Sequence, residues 1–87
     1  MAEHTVRFSR SARKELERLP TKLIERIFPR IESLAQEPRP GGCKKLRGGQ
    51  NLWRIRVGDY RVIYSVEDAA HMVDIVAVGH RRDVYRD

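Results

Sequence analysis

Between Leu52 and Val66 the chain reads LWRIRVGDYRVIYSV, with apolar and polar positions alternating on either side of Gly58-Asp59. A two-residue loop with glycine first is the connection that a type I′ or II′ β-hairpin uses. Counting back from the turn sets the register: Arg56 opposes Arg61, Ile55 opposes Val62, Arg54 opposes Ile63 and Trp53 opposes Tyr64. One face of this ladder is apolar and aromatic, and Trp53 and Tyr64 belong there as core residues. The other face carries Arg54, Arg56 and Arg61.

The rest of the chain has equally readable periods. Thr5 to Phe8 predicts a short strand, after which Ser9 or Ser11 offers a side-chain oxygen to cap a helix running to about Leu19. Ala12, Leu16 and Leu19 form the buried stripe of that helix, and Pro20 ends it. From Thr21, the residues Leu23, Ile24, Ile27, Phe28, Ile31, Leu34 and Ala35 recur at the spacing of one packed helix face. Pro29 removes a backbone donor inside this second helix and predicts a kink. Pro38, Pro40, Gly41 and Gly42 stop it. Strand signal follows at Lys44 to about Leu46, Leu52 to Val57, Tyr60 to Val66 and His71 to Val78. The last is apolar on both faces apart from Asp74, which suits a strand inside the sheet rather than at its edge. The predicted fold is α+β: an N-terminal strand, a two-helix hairpin, then a three- to four-stranded, mainly antiparallel sheet, with the helices on the Trp53 face and the arginine face partly open.

At 87 residues, 40% of them hydrophobic, the chain has material for one core, so residues 1–87 are read as a single domain. The formal net charge of +6 is local. Pro38 to Tyr64 holds seven Lys or Arg against one acid, Asp59, whereas Met1 to Glu37 holds eight against six. Scattered charge is ordinarily a solvated face; this clustering, with like charges opposed across a ladder, calls for an anionic partner, and phosphate fits. Cys43 is the only cysteine, so neither an internal disulfide nor a thiolate metal site can form from this chain. Its Gly-Gly-Cys-Lys-Lys setting makes it a loop or strand-start residue rather than a nucleophile. No apolar run of signal length begins the chain and none approaches the ~20 residues of a membrane span, so a soluble, cytoplasmic protein is expected.

The inventory of reactive groups is short. No Ser-His-Asp set, paired carboxylates, metal-ligand cluster or phosphate-cradling loop can be assembled, and no cofactor or metal is expected. Gly48-Gly49 is a turn signal only. His80, just past the last strand, is the histidine nearest the basic stretch, and an ordinary histidine pKa of ~6.5 permits proton exchange at neutral pH. Read alone it is a polar surface residue. His4 and His71 lie away from the cluster. Tyr85 can stack on a base, donate a phenolic proton or simply anchor the C-terminus to the sheet. What this set can do is stabilise charge on a phosphodiester while a neighbouring RNA 2′-hydroxyl attacks, with a base and an acid moving protons and no covalent enzyme intermediate.

Four segments, Lys45-Leu46-Arg47-Gly48, Trp53-Arg54-Ile55-Arg56, Gly58-Asp59-Tyr60-Arg61-Val62-Ile63-Tyr64 and Val78-Gly79-His80-Arg81-Arg82-Asp83-Val84-Tyr85, together resemble the RelE-family toxins of type II toxin-antitoxin pairs, within the RelE/ParE superfamily. The resemblance spans nearly the whole chain. It implies a fold similar to microbial ribonucleases, a metal-independent endoribonuclease that cuts mRNA in the ribosomal A site, and a cognate antitoxin in a heteromeric complex, a heterotetramer being one form. Carried onto this sequence, the phosphate-stabilising arginines match Arg61 and Arg81, with Arg56 beside them, and the C-terminal tyrosine matches Tyr85. Lys45, Arg47, Arg54 and Arg82 are the residues expected to hold RNA. Two lysines of the best-known pattern are Arg54 and Arg56 here, and arginine stays protonated, so neither can be a general base. His80 or Tyr85 then carries proton transfer.

Two other readings share the charge pattern. The ParE branch has the same hairpin and is associated with poisoning DNA gyrase; the Arg81 to Tyr85 segment favours the RelE side. A non-catalytic nucleic-acid-binding module would need only basic charge, with binding that weakens steeply as salt rises.

Overall fold

The computed structural model describes residues 3–48 and 51–82. Among them lie β1 (Thr5–Phe8), α1 (Arg10–Glu17), α2 (Thr21–Glu32), a 3-10 turn (Ser33–Ala35), β2 (Lys44–Lys45), β3 (Leu52–Val57), β4 (Tyr60–Glu67) and β5 (Met72–His80). Ser9 caps α1, its Oγ accepting the Ala12 N–H at 3.0 Å, a contact worth about 1 kcal/mol. The helix stops two residues short of Leu19, which still packs on the core. Pro20 serves as N-cap of α2, where a missing N–H costs nothing, and α2 runs through Pro29 before tightening into the 3-10 turn.

The five strands form one sheet in the order β1-β5-β4-β3-β2. β1 runs parallel to β5, with Val6 beside Val73 and Phe8 beside Ile75; every other pairing is antiparallel. The β3–β4 register is the one the turn dictates, including Arg56 opposite Arg61. Gly58 has φ 62, and Asp59 is not among the residues with positive φ, so the turn belongs to the II′ class. β5 lies inside the sheet, as its two apolar faces predict.

β5 carries an irregularity that the alternation does not show. Ile63 pairs with Ala77 but Tyr64 pairs with Ile75, leaving Val76 as the extra residue of a bulge, 39% exposed. Ser9 Oγ donates to the Val76 carbonyl at 3.3 Å, tying the bulge to the cap of α1. Because a bulge shifts the side-chain phase by one, Val73, Ile75 and Val78 all face the helices.

The core is the layer between that face and the helices, built from Ala12, Leu16, Ile27, Ile31, Leu34, Ile55, Val62, Tyr64, Val66, Val73, Ile75 and Val78. Each fully buried isoleucine contributes about 1.5–3 kcal/mol. Tyr64 donates its phenolic proton to the Pro38 carbonyl at 2.7 Å, and burial pushes its pKa far above the usual tyrosine value, with nearby Cys43 adding to the rise. Cys43 packs half-buried against this core. The two helices are adjacent in sequence but pack mainly on the sheet, α1 on β5 and β1, α2 on β3, rather than on each other, because the sheet offers the wider apolar surface to both stripes. No helix among the described residues is long and apolar enough to cross a membrane.

Candidate nucleic-acid interface

Arg54, Arg56 and Arg61 project from the sheet face away from the helices. The register places Arg56 and Arg61 directly opposite each other, which puts their Cβ atoms about 5 Å apart. Arg61 is flanked on its other side by Gly79 of β5, which has no side chain to cover it. The three arginines are not equally presented. Arg56 is exposed, Arg61 half-buried, and Arg54 only 5% exposed, beside Ile63 at 1%, while Leu46, just past β2, is 3% exposed. The face is therefore covered around Ile63, and the accessible ones of its three arginines lie toward the Gly58-Asp59 turn. At the far end of the same face, Asp74 pairs with Arg7 at 2.9 Å.

The chain leaves β5 beside this turn. The Arg81 N–H donates to the Asp59 carbonyl at 2.9 Å, bringing the start of the Arg81-Arg82 segment next to the hairpin that carries Arg56 and Arg61, and both Arg81 and Arg82 are exposed. Tyr85 lies outside the described residues. Arg47 is exposed in the turn after β2.

Lys45 and His80 fall elsewhere. Lys45 pairs with Trp53 and sits on the helix-side face, its Nζ 5.9 Å from the indole centroid, with the Arg39 guanidinium at 5.0 Å. The lysine that shares the arginine face is its neighbour Lys44, opposite Arg54, which sequence reasoning missed. The alternation of two lysines guarantees that one of them faces that way, but only the β2–β3 register says which. His80 pairs with Tyr60 and also faces the helices, since the Val76 bulge reverses the parity of every later β5 residue. Its ring meets Tyr60 edge-to-face, centroids 5.5 Å apart at 82°, and Nδ1 accepts the Arg82 N–H at 3.2 Å. A cavity of about 240 Å³ lined by Glu15, Arg18, Leu19, Tyr60 and Val78 adjoins it. Among the described residues the arginine face carries no histidine.

A second polar cluster, at the far end of the sheet, was also unforeseen. The parallel β1–β5 pairing brings His4 and His71 to 5.4 Å, ring edge to ring face, and His4 Nε2 lies 3.3 Å from Asp68 Oδ1. Arg39 donates to both Asp68 oxygens, at 3.2 and 2.9 Å. Those bonds, with a smaller contribution from His4, hold the Asp68 carboxyl below its ordinary pKa. The arrangement is a structural clip between the β4–β5 turn and the loop before β2.

The family described as ParE toxin of type II toxin-antitoxin system, parDE, matches residues 6–85. Toxin RelE of Mycobacterium tuberculosis is 35% identical over 86 residues, covering 93% of this chain and 84% of its own length. The chain belongs to the RelE/ParE family of type II toxin-antitoxin toxins. Toxin RelG of the same organism is 33% identical over 84 residues, covering 95% of this chain and 97% of its own. The toxin-antitoxin complex RelBE2 from M. tuberculosis superposes with a TM-score of 0.81 at 33% identity, over 95% of this chain and 97% of that one. This RelE/ParE toxin thus has the α+β fold predicted from its hydrophobic pattern.

Proposed function

We propose that this toxin is a ribosome-dependent mRNA endonuclease acting through the turn-proximal arginine face. The observation that carries this reading is the cross-strand pair Arg56–Arg61, with Gly79 paired beside Arg61 and the Arg81 N–H bonded to the Asp59 carbonyl of the same turn. Two guanidinium groups opposite each other can hold one phosphate between them, each through charge-assisted hydrogen bonds. In the proposed reaction a 2′-hydroxyl gives up its proton and attacks the adjacent phosphorus, and the bond to the 5′ oxygen breaks as that oxygen takes up a proton, leaving a 2′,3′-cyclic phosphate and a 5′-hydroxyl. Negative charge builds on the non-bridging oxygens, where Arg56, Arg61 and Arg81 donate. Pre-placed donors of this kind are worth about 10²–10³ in rate each. Tyr85 is the proposed proton-transfer group, since His80 faces the helices. Lys44, Arg47 and Arg82 extend the exposed basic surface along which the RNA strand would lie, with Arg54 buried beneath it.

Arg61→Ala tests the assignment. Loss of cutting in single turnover with little loss of ribosome affinity is the expected result; parallel losses in both would make Arg61 a binding residue and count against the catalytic role. The match to the ParE toxin family favours a second reading, inhibition of DNA gyrase. A supercoiling assay separates the two, because an mRNA endonuclease leaves gyrase turnover unchanged.

The partner proposed is a cognate antitoxin, as in the RelBE2 complex. An acidic or amphipathic segment suits the arginine face by charge. A groove of about 550 Å³ along the β1 edge, floored by Val6, Phe8, Leu16 and the 38% exposed Phe28, would take the apolar side of such a segment. Co-purification with the product of the neighbouring gene, and relief of toxicity by it, are the expected outcomes.

A further inference from the structure

We propose that His80 is a positioning residue for the reaction above: by accepting the Arg82 N–H on Nδ1, it sets the direction in which the chain leaves β5 and hence where Arg81 stands relative to Arg61. The role in catalysis rests on the endonuclease reading; the contact itself does not. Two backbone bonds define this exit. The Arg81 N–H goes to the Asp59 carbonyl at 2.9 Å and the Arg82 N–H to His80 Nδ1 at 3.2 Å. The second is the imidazole counterpart of an Asx turn, a side chain accepting from the amide two residues on. The ring is itself held, edge-to-face on Tyr60 at 5.5 Å, in the recess formed with Glu15, Arg18 and Leu19. Glu15 is fixed in turn, its Oε1 accepting the Val78 N–H at 2.9 Å. The Val76 bulge makes this possible, because it turns His80 onto the helix side and leaves Gly79 beside Arg61.

A backbone N–H can only donate, so Nδ1 must present a lone pair and the ring proton sits on Nε2. An imidazolium has two N–H donors and no acceptor, so protonation breaks the bond. The charged groups around the ring are Glu15 and Arg18 from α1 and Arg81 and Arg82 in the exit itself, with the Tyr60 phenol from β4. Displacement of a charge donor by about 1 Å costs up to ~10²-fold in rate.

The test compares wild type, His80→Ala and His80→Asn in single-turnover cutting across a pH series. His80→Ala is expected to lower kcat by about 10- to 100-fold with KM nearly unchanged. His80→Asn, whose carbonyl accepts in the same i to i+2 pattern and does not titrate, is expected to recover most of that loss and to lack the acid limb of the wild type. Asparagine as inactive as alanine, or alanine as active as wild type, would overturn the proposal. The amide resonance of Arg82 gives an independent readout: its shift should follow the histidine titration in wild type and stay flat in His80→Asn. A wild type that cuts no RNA would sink the endonuclease reading alone, and an Arg82 amide indifferent to the titration would sink the latch.

Discussion

Replacing Arg56 with glutamine should stabilise this protein and cripple it at once. Arg56 is exposed on β3, directly opposite Arg61 and two residues from Arg54 on the same face. Taking ~7 Å as a representative separation for long side chains on directly opposed strand positions, Coulomb repulsion is ~0.6 kcal/mol at the dielectric constant of water and ~1.2 at half that value. On the Arg56–Arg61 repulsion alone, Arg56→Gln should raise unfolding stability by about 0.5–1 kcal/mol. For a domain of this size that is a rise of about 2–8 °C in Tm. The gain should shrink as salt rises, since added ions already screen the wild-type repulsion. Cutting should fall by about 10²-fold as a charge donor is lost. Thermal unfolding by circular dichroism at low and high salt, paired with a single-turnover cleavage assay, reads both effects. A variant no more stable than wild type at low salt, or a gain that does not shrink at high salt, would refute the view that the arginine pair is held against repulsion.

Three further outcomes follow from the geometry. Gly58→Ala places a Cβ at φ +62 and 3.3 Å from Arg26 Nη2, so chemical denaturation should show a loss of about 1–2 kcal/mol. Tyr64 has a raised pKa in the folded state, so its contribution is complete below the ordinary tyrosine value near 10 and is lost above it; wild type should lose stability above about pH 10 where Tyr64→Phe does not. At neutral pH the same variant should be less stable by about 1 kcal/mol for the lost bond to Pro38. Asp68 has a lowered pKa, so its pairing with Arg39 stabilises above the ordinary aspartate value and fades as pH falls below about 4; the Tm difference between wild type and Asp68→Asn should close on acidification.

The hairpin was legible because a side-chain period of two and a Gly-Asp turn leave one register that buries Trp53, Ile55, Val62 and Tyr64 together. Both helices were legible from their apolar stripes and from Ser9 and Pro20 as boundaries. The pairing of β1 with β5 was not, since strands separated by more than sixty residues leave no local signal of partnership. That pairing creates the His4–Asp68–Arg39 clip, so the clip was invisible with it. The side of His80 was hidden by one residue: counted without a bulge, β5 aims His80 at the arginine face, and Val76 is as apolar as its neighbours. Lys44 and Lys45 were exchanged for the same kind of reason, a two-residue strand whose register is set by its partner rather than by its own pattern.

Primer extension on an mRNA undergoing translation in vitro, with wild-type protein, Arg61→Ala and naked mRNA side by side, decides whether this toxin is a ribosome-dependent endonuclease. Cuts at ribosome-occupied codons are expected with wild type, and none with the variant or on naked mRNA. Intact translated mRNA at wild-type concentrations that arrest growth would contradict that activity.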